Sequence, residues 1–278
     1  MLGSFSHIAF LAISAISLTA CNNAKSDNNI AEIESSDSIP VKVKQLIRAV
    51  ADNDSVGFAG LVSYPLSRPY PLRDLNNKEE LEKYYSRLVD DSLKSALTSS
   101  KVSDWEEYGW RGWSLKNGDY LWIDENLYDI PYISSFEHIA IDSLVRLEIA
   151  TLHPSLRNGW RPAGALRSHD KKTVCRIDRK TSGETDPIYR LCVYRNGANP
   201  GEIPTDVFTG HKTAEGTAGT SIYHFADTVG SHAVFEPETP DGSIPQIEFI
   251  YGNGVVDTIA VERIYWMDLF KSERFNKK

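Results

Sequence analysis

Apolar positions change period several times along this chain, and each change marks an element. Ile8 to Ala20 is an apolar stretch of about 13 residues, too short to span the roughly 30 Å hydrocarbon core of a bilayer but long enough for the core of a signal peptide. Asn22 to Ser38 is rich in Asn, Ser, Asp and Glu. It offers too little apolar surface to offset the entropy of ordering, so a disordered tether is expected. Val43, Leu46, Ile47 and Val50 then recur at helical spacing and predict a helix over Val41 to about Ala51. Asp52-Asn53-Asp54-Ser55 ends it and supplies an N-cap for a shorter helix through Val62. Tyr64-Pro65-Leu66 and Arg68-Pro69-Tyr70-Pro71-Leu72 should be extended, because each proline pushes its predecessor out of the helical region. Asn77 ahead of Lys78-Glu79-Glu80 is a capping signature for a long helix striped by Leu81, Tyr84, Tyr85, Leu88, Val89, Leu93, Ala96 and Leu97.

After Lys101 the period falls to two. Trp105 to Leu115 and Tyr120 to Ile123 flank Asn117-Gly118, a hairpin signal because both central positions of a type I′ turn need positive φ. A third strand is expected at about Asp129 to Ser135. Ile139 to Leu152 fits neither period cleanly and reads as a connector that begins extended. Beyond it lie short apolar runs: Val174 to Asp178, Ile188 to Arg195, Val207 to Thr209, Ser221 to Phe225, His232 to Phe235, Ile247 to Tyr251 and Val255 to Val261. Gly, Pro, Asn and Asp separate them, which is the pattern of a small sandwich or barrel. Tyr265-Trp266 is expected to pack the last turn onto that sheet. The fold class is therefore α+β, with helices on a curved antiparallel sheet followed by an all-β sandwich or barrel. The boundaries expected are 1–20 signal peptide, 21–39 tether, 40–139 first domain, 140–173 connector and 174–278 β domain.

Composition narrows the picture. At 41% hydrophobic residues in 278, the body beyond about Pro40 can fill one large core or two ordinary ones; the change of period favours two. The net charge of -8 belongs wholly to residues beyond 20, since residues 1–20 contain no Asp, Glu, Lys or Arg. An acidic body without a sustained basic run argues against nucleic acid as a partner. Of three cysteines, Cys175 and Cys192 lie on predicted strands flanking one loop. An exported protein with a single such pair invites a disulfide worth about 3 kcal/mol, the alternative being two separately buried thiols. No second Cys or His pair stands at ligand spacing, so no metal site is expected.

Leu18-Thr19-Ala20-Cys21, at the end of the apolar stretch, resembles the lipobox of bacterial lipoproteins. The resemblance implies cleavage before Cys21, a diacylglycerol on its thiol and usually an acyl chain on its new amine. It also implies a cell-envelope address, with Asn22 in place of Asp leaning towards the outer membrane. Met1 to His7 departs from the family pattern in carrying no Lys or Arg. The order helix, helix, short extended piece, capped helix and aromatic meander over Val41 to Ile139 resembles the cone-shaped α+β domain of the SnoaL-like and nuclear transport factor 2-like families. Tyr64-Pro65-Leu66 and Gly118-Asp119-Tyr120-Leu121-Trp122-Ile123 carry that resemblance.

The cone of such domains encloses a pocket, which implies Tyr64, Tyr84, Trp105, Trp110, Trp122, Asp104 and Asp124 as lining residues. No histidine occurs between Cys21 and Glu137, and histidine is the usual general base. These side chains therefore read as core first and as a proton-transfer site second. Gly210-His211-Lys212-Thr213-Ala214-Glu215-Gly216-Thr217-Ala218-Gly219 has its glycines misplaced for a phosphate loop and reads as a glycine-rich turn. Ser221, His224 and Asp227 lack the nucleophile elbow of a hydrolase triad, and His211, His224 and His232 show no spacing that puts them on one face. Arg176, Arg179 and Arg190 alternate with neighbours as on a solvated sheet face. His153-Pro154-Ser155-Leu156, with Arg157 and Trp160, reads as a turn. The expectation is a membrane-anchored, non-enzymatic envelope module that binds a protein, glycan or small ligand without a cofactor. A cofactor-free SnoaL-like isomerase or hydrolase using a pocket Asp with Tyr, and a protein inhibitor or immunity-like role, are the alternatives.

Overall fold

The computed structural model describes residues 29–180, 186–199, 201–215, 220–237 and 244–270; the expected signal segment and Leu18–Cys21 lie outside these. The chain forms two compact units. The first takes the described residues up to Leu66 together with Leu75–Ser134, and the second takes Ser67–Asp74 and Ser135 onward. Among the described residues no helix is long and apolar enough to cross a membrane.

In the first unit, α1 (Val41–Ala51) buries Val43, Leu46, Ile47, Ala49 and Val50, the stripe expected from spacing. Asp54 caps α2 (Ser55–Ala59) by accepting a hydrogen bond from the Gly57 amide at 2.8 Å. Asn77 caps α3 (Lys78–Leu88) through the Glu80 amide at 2.9 Å, while the Glu80 carboxylate reaches back to the Asn76 amide at 2.8 Å. The long helix expected through Leu97 breaks at Val89. Asp90 accepts from the Leu93 amide at 3.1 Å and starts α4 (Asp91–Thr98), so a polar cap overrides a continuous apolar stripe.

Four short strands follow, β1 (Trp105–Glu107), β2 (Trp113–Leu115), β3 (Leu121–Ile123) and β4 (Leu127–Asp129), antiparallel in chain order. The single strand expected over Trp105–Leu115 is folded back on itself by a 3-10 turn at Gly109–Arg111, so that Trp105 pairs with Leu115. Lys116, Asn117 and Gly118 all have positive φ, which makes the β2–β3 connection wider than a two-residue turn. Gly118 also lies under the Trp122 ring, where a Cβ would come within 2.4 Å of it. The strand expected at Asp129–Ser135 is β4, earlier in the chain, and Ser135 instead opens a helix.

The tether shortens. Residues 29–35 are helical, and Ile30, Ile33 and Ile39 are buried with Leu46, Leu81 and Leu97 in one core. Ile30 and Ile33 are three residues apart on one side of that helical segment, and Ile39 follows in the turn that leads to α1.

The second unit begins with α5 (Ser135–Thr151), where a connector was expected, and β5 (Arg161–Ser168) also lies in that stretch. Strands β6 (Val174–Lys180), β7 (Ile188–Tyr194), β8 (Asp206–Glu215), β9 (Thr220–Ala226), β10 (His232–Phe235), β11 (Gln246–Ile250) and β12 (Val256–Ile264) complete a closed eight-stranded antiparallel barrel. Each strand pairs with its sequence neighbours, and β12 closes on β5 with Val261 opposite Ser168. Leu166, Ile177, Leu191, Phe208, Phe225 and Phe249 fill the interior. Trp266, in the 3-10 turn Trp266–Phe270, packs on the outer wall beside Tyr194 and Cys192.

Ile33 tests the shortened tether. Ile33→Ala is expected to cost about 2–5 kcal/mol, the usual range for emptying a core site, measured by denaturant unfolding; an unchanged midpoint would return residues 29–39 to the tether.

Candidate functional site

The barrel interior is alternate residues of eight strands, and its two ends differ. At one end the Arg195 guanidinium lies 4.7 Å above the Phe249 ring and donates to Asp206 at 3.2 Å, to Asp257 at 3.0 Å and to the Tyr251 hydroxyl. A cation held by two carboxylates and a phenol is a polar plug. At the other end a cavity of about 360 Å³ remains, lined by Gly164, Leu166, Ile177, Tyr223, Phe235 and Val261, with Ser67, Pro237, Pro245 and Arg263 also on it. That volume falls in the range of small-molecule sites. Arg263 is oriented by Asp74 at 3.1 Å and by the Arg68 carbonyl at 3.3 Å.

Arg179 is exposed as on the solvated face expected, but Arg176 and Arg190 are not. Arg176, Asp178 and Arg190 are buried beneath α5 and the Ser67–Asp74 segment. Arg176 donates to Asp178 at 2.8 Å and to Glu148 at 3.1 Å, while Arg190 donates to Asp178 at 2.6 Å and to the Leu156 carbonyl at 3.0 Å. The Tyr70 hydroxyl donates to Glu148 at 2.9 Å. Arg68 grips Glu137 with two bonds of 2.8 and 2.7 Å. The Arg176 and Arg190 guanidiniums lie over the rings of Trp266 and Trp160 at 4.6 and 4.7 Å. Burial pushes the Glu148 carboxyl above its ordinary range against the pull of Arg176 and Tyr70. Burial, then the Glu148 charge, pushes Tyr70 up as well. A buried carboxylate beside a tyrosine is the ingredient of proton-transfer chemistry, but neither Tyr70 nor Glu148 lines the barrel cavity. Three guanidiniums face three carboxylates, and the cluster is a charge-balanced structural network.

The lining residues implied for the first unit occupy different surroundings. Trp105 is buried with its indole N–H on Ser100 at 3.1 Å. Trp110 is 75% exposed and Asp124 is exposed. Asp104 accepts from the Lys101 amide at 2.9 Å. Tyr84 packs on the core, and Trp122 lies against Tyr108 and Gly118. Tyr64 donates to the Ala59 carbonyl at 2.9 Å, and burial, then Glu82 and Glu79, pushes its phenol up to about 12. A surface cavity of about 450 Å³ on this unit is lined by none of them but by Glu34, Lys44, Arg48, Asp52 and Asp54 among others.

Other combinations come apart by strand parity. Ser221 faces inward with Tyr223 and Phe225, whereas His224 faces outward, and the Asp227 carboxylate is spent on the Val229 and Ser231 amides at 2.8 Å. Gly210 is needed where β8 meets β9, since a Cβ there would stand 1.8 Å from the His224 carbonyl oxygen. His153 caps the 3-10 turn Pro154–Leu156, the structural turn expected. Sequence reasoning missed the cavity residues Gly164, Tyr223 and Arg263; the signal was inward alternation, readable once strand count and closure are known.

The expected disulfide is absent: Cys175 and Cys192 are free thiols. Cys192 pairs with Arg176 and Cys175 with Val193, a register that sends Cys175 into the barrel core and Cys192 outward against Trp266 and Tyr194. Compared with protein-family models, curated proteins and solved structures, the chain matches none.

Burial pushes both thiols up to about 12, against about 8.5 for a free cysteine. The stability this contributes is complete below about pH 8.5 and is lost as pH rises towards the folded values. In a Cys21→Ala background, both thiols are expected to resist a maleimide at neutral pH and to react on unfolding in guanidinium. Reaction of the folded protein, or a reduction-sensitive gel band, would overturn the assignment.

Proposed function

We propose that this chain is a lipid-anchored protein of the bacterial cell envelope, tethered through Cys21, whose barrel unit binds a small molecule with both apolar and polar surface, without chemical turnover. The observation that carries this reading is the cavity at one end of the barrel, walled by Leu166, Ile177, Tyr223, Phe235 and Val261 with Arg263 at its edge. Its lining combines these apolar side chains with a comparable polar surface, so it suits an amphipathic ligand that fills the apolar wall and meets Arg263. The Arg195 plug opposite makes the barrel a one-ended cup. The lipobox-like Leu18–Cys21 supports the anchor, and Asn22 supports the outer membrane. Two acyl chains at about 0.8 kcal/mol per buried methylene hold a protein on a bilayer.

The first unit serves as a SnoaL-like scaffold in this reading. Its order of α1–α4 ahead of a four-stranded antiparallel sheet supports that assignment, and the burial of Trp105 in the core favours support over catalysis.

Gly164 gives the sharpest test, because a Cβ there meets only Ile177 Cβ at 4.0 Å. Gly164→Leu should fill the cavity without breaking the barrel. An environment-sensitive anilinonaphthalene dye should bind the wild type saturably and Gly164→Leu at least about tenfold more weakly, with the unfolding midpoint retained; equal binding by both would overturn the cavity as the site. Separately, Cys21→Ala is expected to move the protein from the membrane fraction to the soluble one, and retention at the membrane would end the anchor reading.

A further inference from the structure

The outer wall of β8 and β9 carries two histidines whose relation is set by strand register. His211 is directly opposite His224. Phe208 and Phe225 fill the interior, so alternation turns His211 and His224 outward. Their rings are 25° from parallel with centroids 5.5 Å apart. His211 is exposed and His224 half-buried.

Thr213, two residues along on the same wall, engages one nitrogen of His224: its hydroxyl lies 3.2 Å from His224 Nε2. That leaves Nδ1 as the nitrogen available to a ligand, and with a metal on Nδ1 the Thr213 oxygen accepts the Nε2–H proton. A ligating imidazole held through its other nitrogen is the usual arrangement around a protein-bound metal.

At metal–nitrogen lengths of about 2.0–2.1 Å, two imidazoles on a tetrahedral ion have centroids roughly 5 Å apart, close to the separation seen here; the rings are stacked, so the exposed His211 ring turns about its side-chain bonds to aim its lone pair at a shared ion. The neighbours on this wall, Thr209, Thr213, Ile222 and Ala226, include no carboxylate. An all-imidazole pair suits zinc, copper or nickel and not magnesium or calcium. His232 shares the wall opposite Ala226, but no group of three metal-binding side chains is assembled among the described residues.

We propose that His211 and His224 form a binding site for a divalent transition-metal ion of the zinc, copper and nickel class, His224 ligating through Nδ1 and water completing the coordination. The test uses the untagged full chain, stripped with chelator and titrated calorimetrically with zinc, nickel or copper chloride. Wild type should bind these ions and give no heat with magnesium or calcium chloride. His211→Ala and His224→Gln should each lose at least about tenfold in zinc affinity, Thr213→Val should lose less, and His232→Ala should match wild type. His211 is exposed, so its substitution keeps the fold if His224→Gln does not. Absence of zinc binding in the wild type, or zinc affinity unchanged in His211→Ala, would overturn the site.

Discussion

Within the second unit, the elements packed on the outer wall of β6 and β7 depend on Arg176. A guanidinium taken out of water costs several kcal/mol even after relaxation. Arg176 is held on the outer wall of β6 by the same alternation that puts Cys175 and Ile177 inside. Its charge must be met from above, and Glu148 of α5 and Asp178 of its own strand meet it. Asp178 must then be shared with Arg190. Tyr70 is drawn in to donate to Glu148 and to accept from the Trp266 amide at 3.3 Å. The helix, the Ser67–Asp74 segment and the terminal 3-10 turn are in this sense placed by one buried cation. Removing any single partner would strand a charge, a loss of about 3–5 kcal/mol, whereas replacing the whole set by apolar groups need cost nothing. Stability alone therefore does not explain the network. Its consequence is geometric: only one helix register brings Glu137 to Arg68 and Glu148 to Arg176 together.

That constraint also explains where sequence reasoning succeeded. The helix α1, the Asp54 and Asn77 caps, and strand His232–Phe235 are written in local chemistry, and periodicity finds them. The buried stripe of α5 is Glu137, Ile141, Val145 and Glu148, which has helical spacing but carries acids at both ends. Phe136, Ile139 and Leu147 stay exposed. Hydrophobic periodicity cannot see such a helix, because its partner is charged and more than 25 residues away in sequence. Arg176 and Arg190 were misread for the same reason: alternation on a strand reveals two faces but not which face another element covers.

Register is the second quantity hidden from local pattern. Both cysteines were correctly placed on adjacent strands, yet a one-residue difference in pairing decides whether they meet or face opposite ways. The observed pairing of Arg176 with Cys192 settles it. The cavity was hidden likewise, since Gly164, Ile177, Tyr223 and Arg263 belong to four strands and share an end only after β12 closes on β5. Of the aromatic residues read as core in the first unit, Trp105 is buried and Trp110 is exposed, a difference that spacing along a strand does not reveal.

Closure then limits how this barrel can recognise anything. A closed sheet has no unpaired edge to offer to another chain's strand. The wall over β6 and β7 is occupied by α5 and its ion network, and Arg195 stops one end. Two other places differ from these: the opposite end, where apolar side chains and Arg263 line a cavity, and the outer wall of β8 to β10, where the histidines stand. The two surfaces differ in chemistry as they do in place. One is a recess that offers apolar area beside a guanidinium, while the other offers imidazole nitrogens on an outward-facing wall. A ligand of one kind gains nothing from the other, so binding at the two should be separable by substitution at Gly164 and at His211.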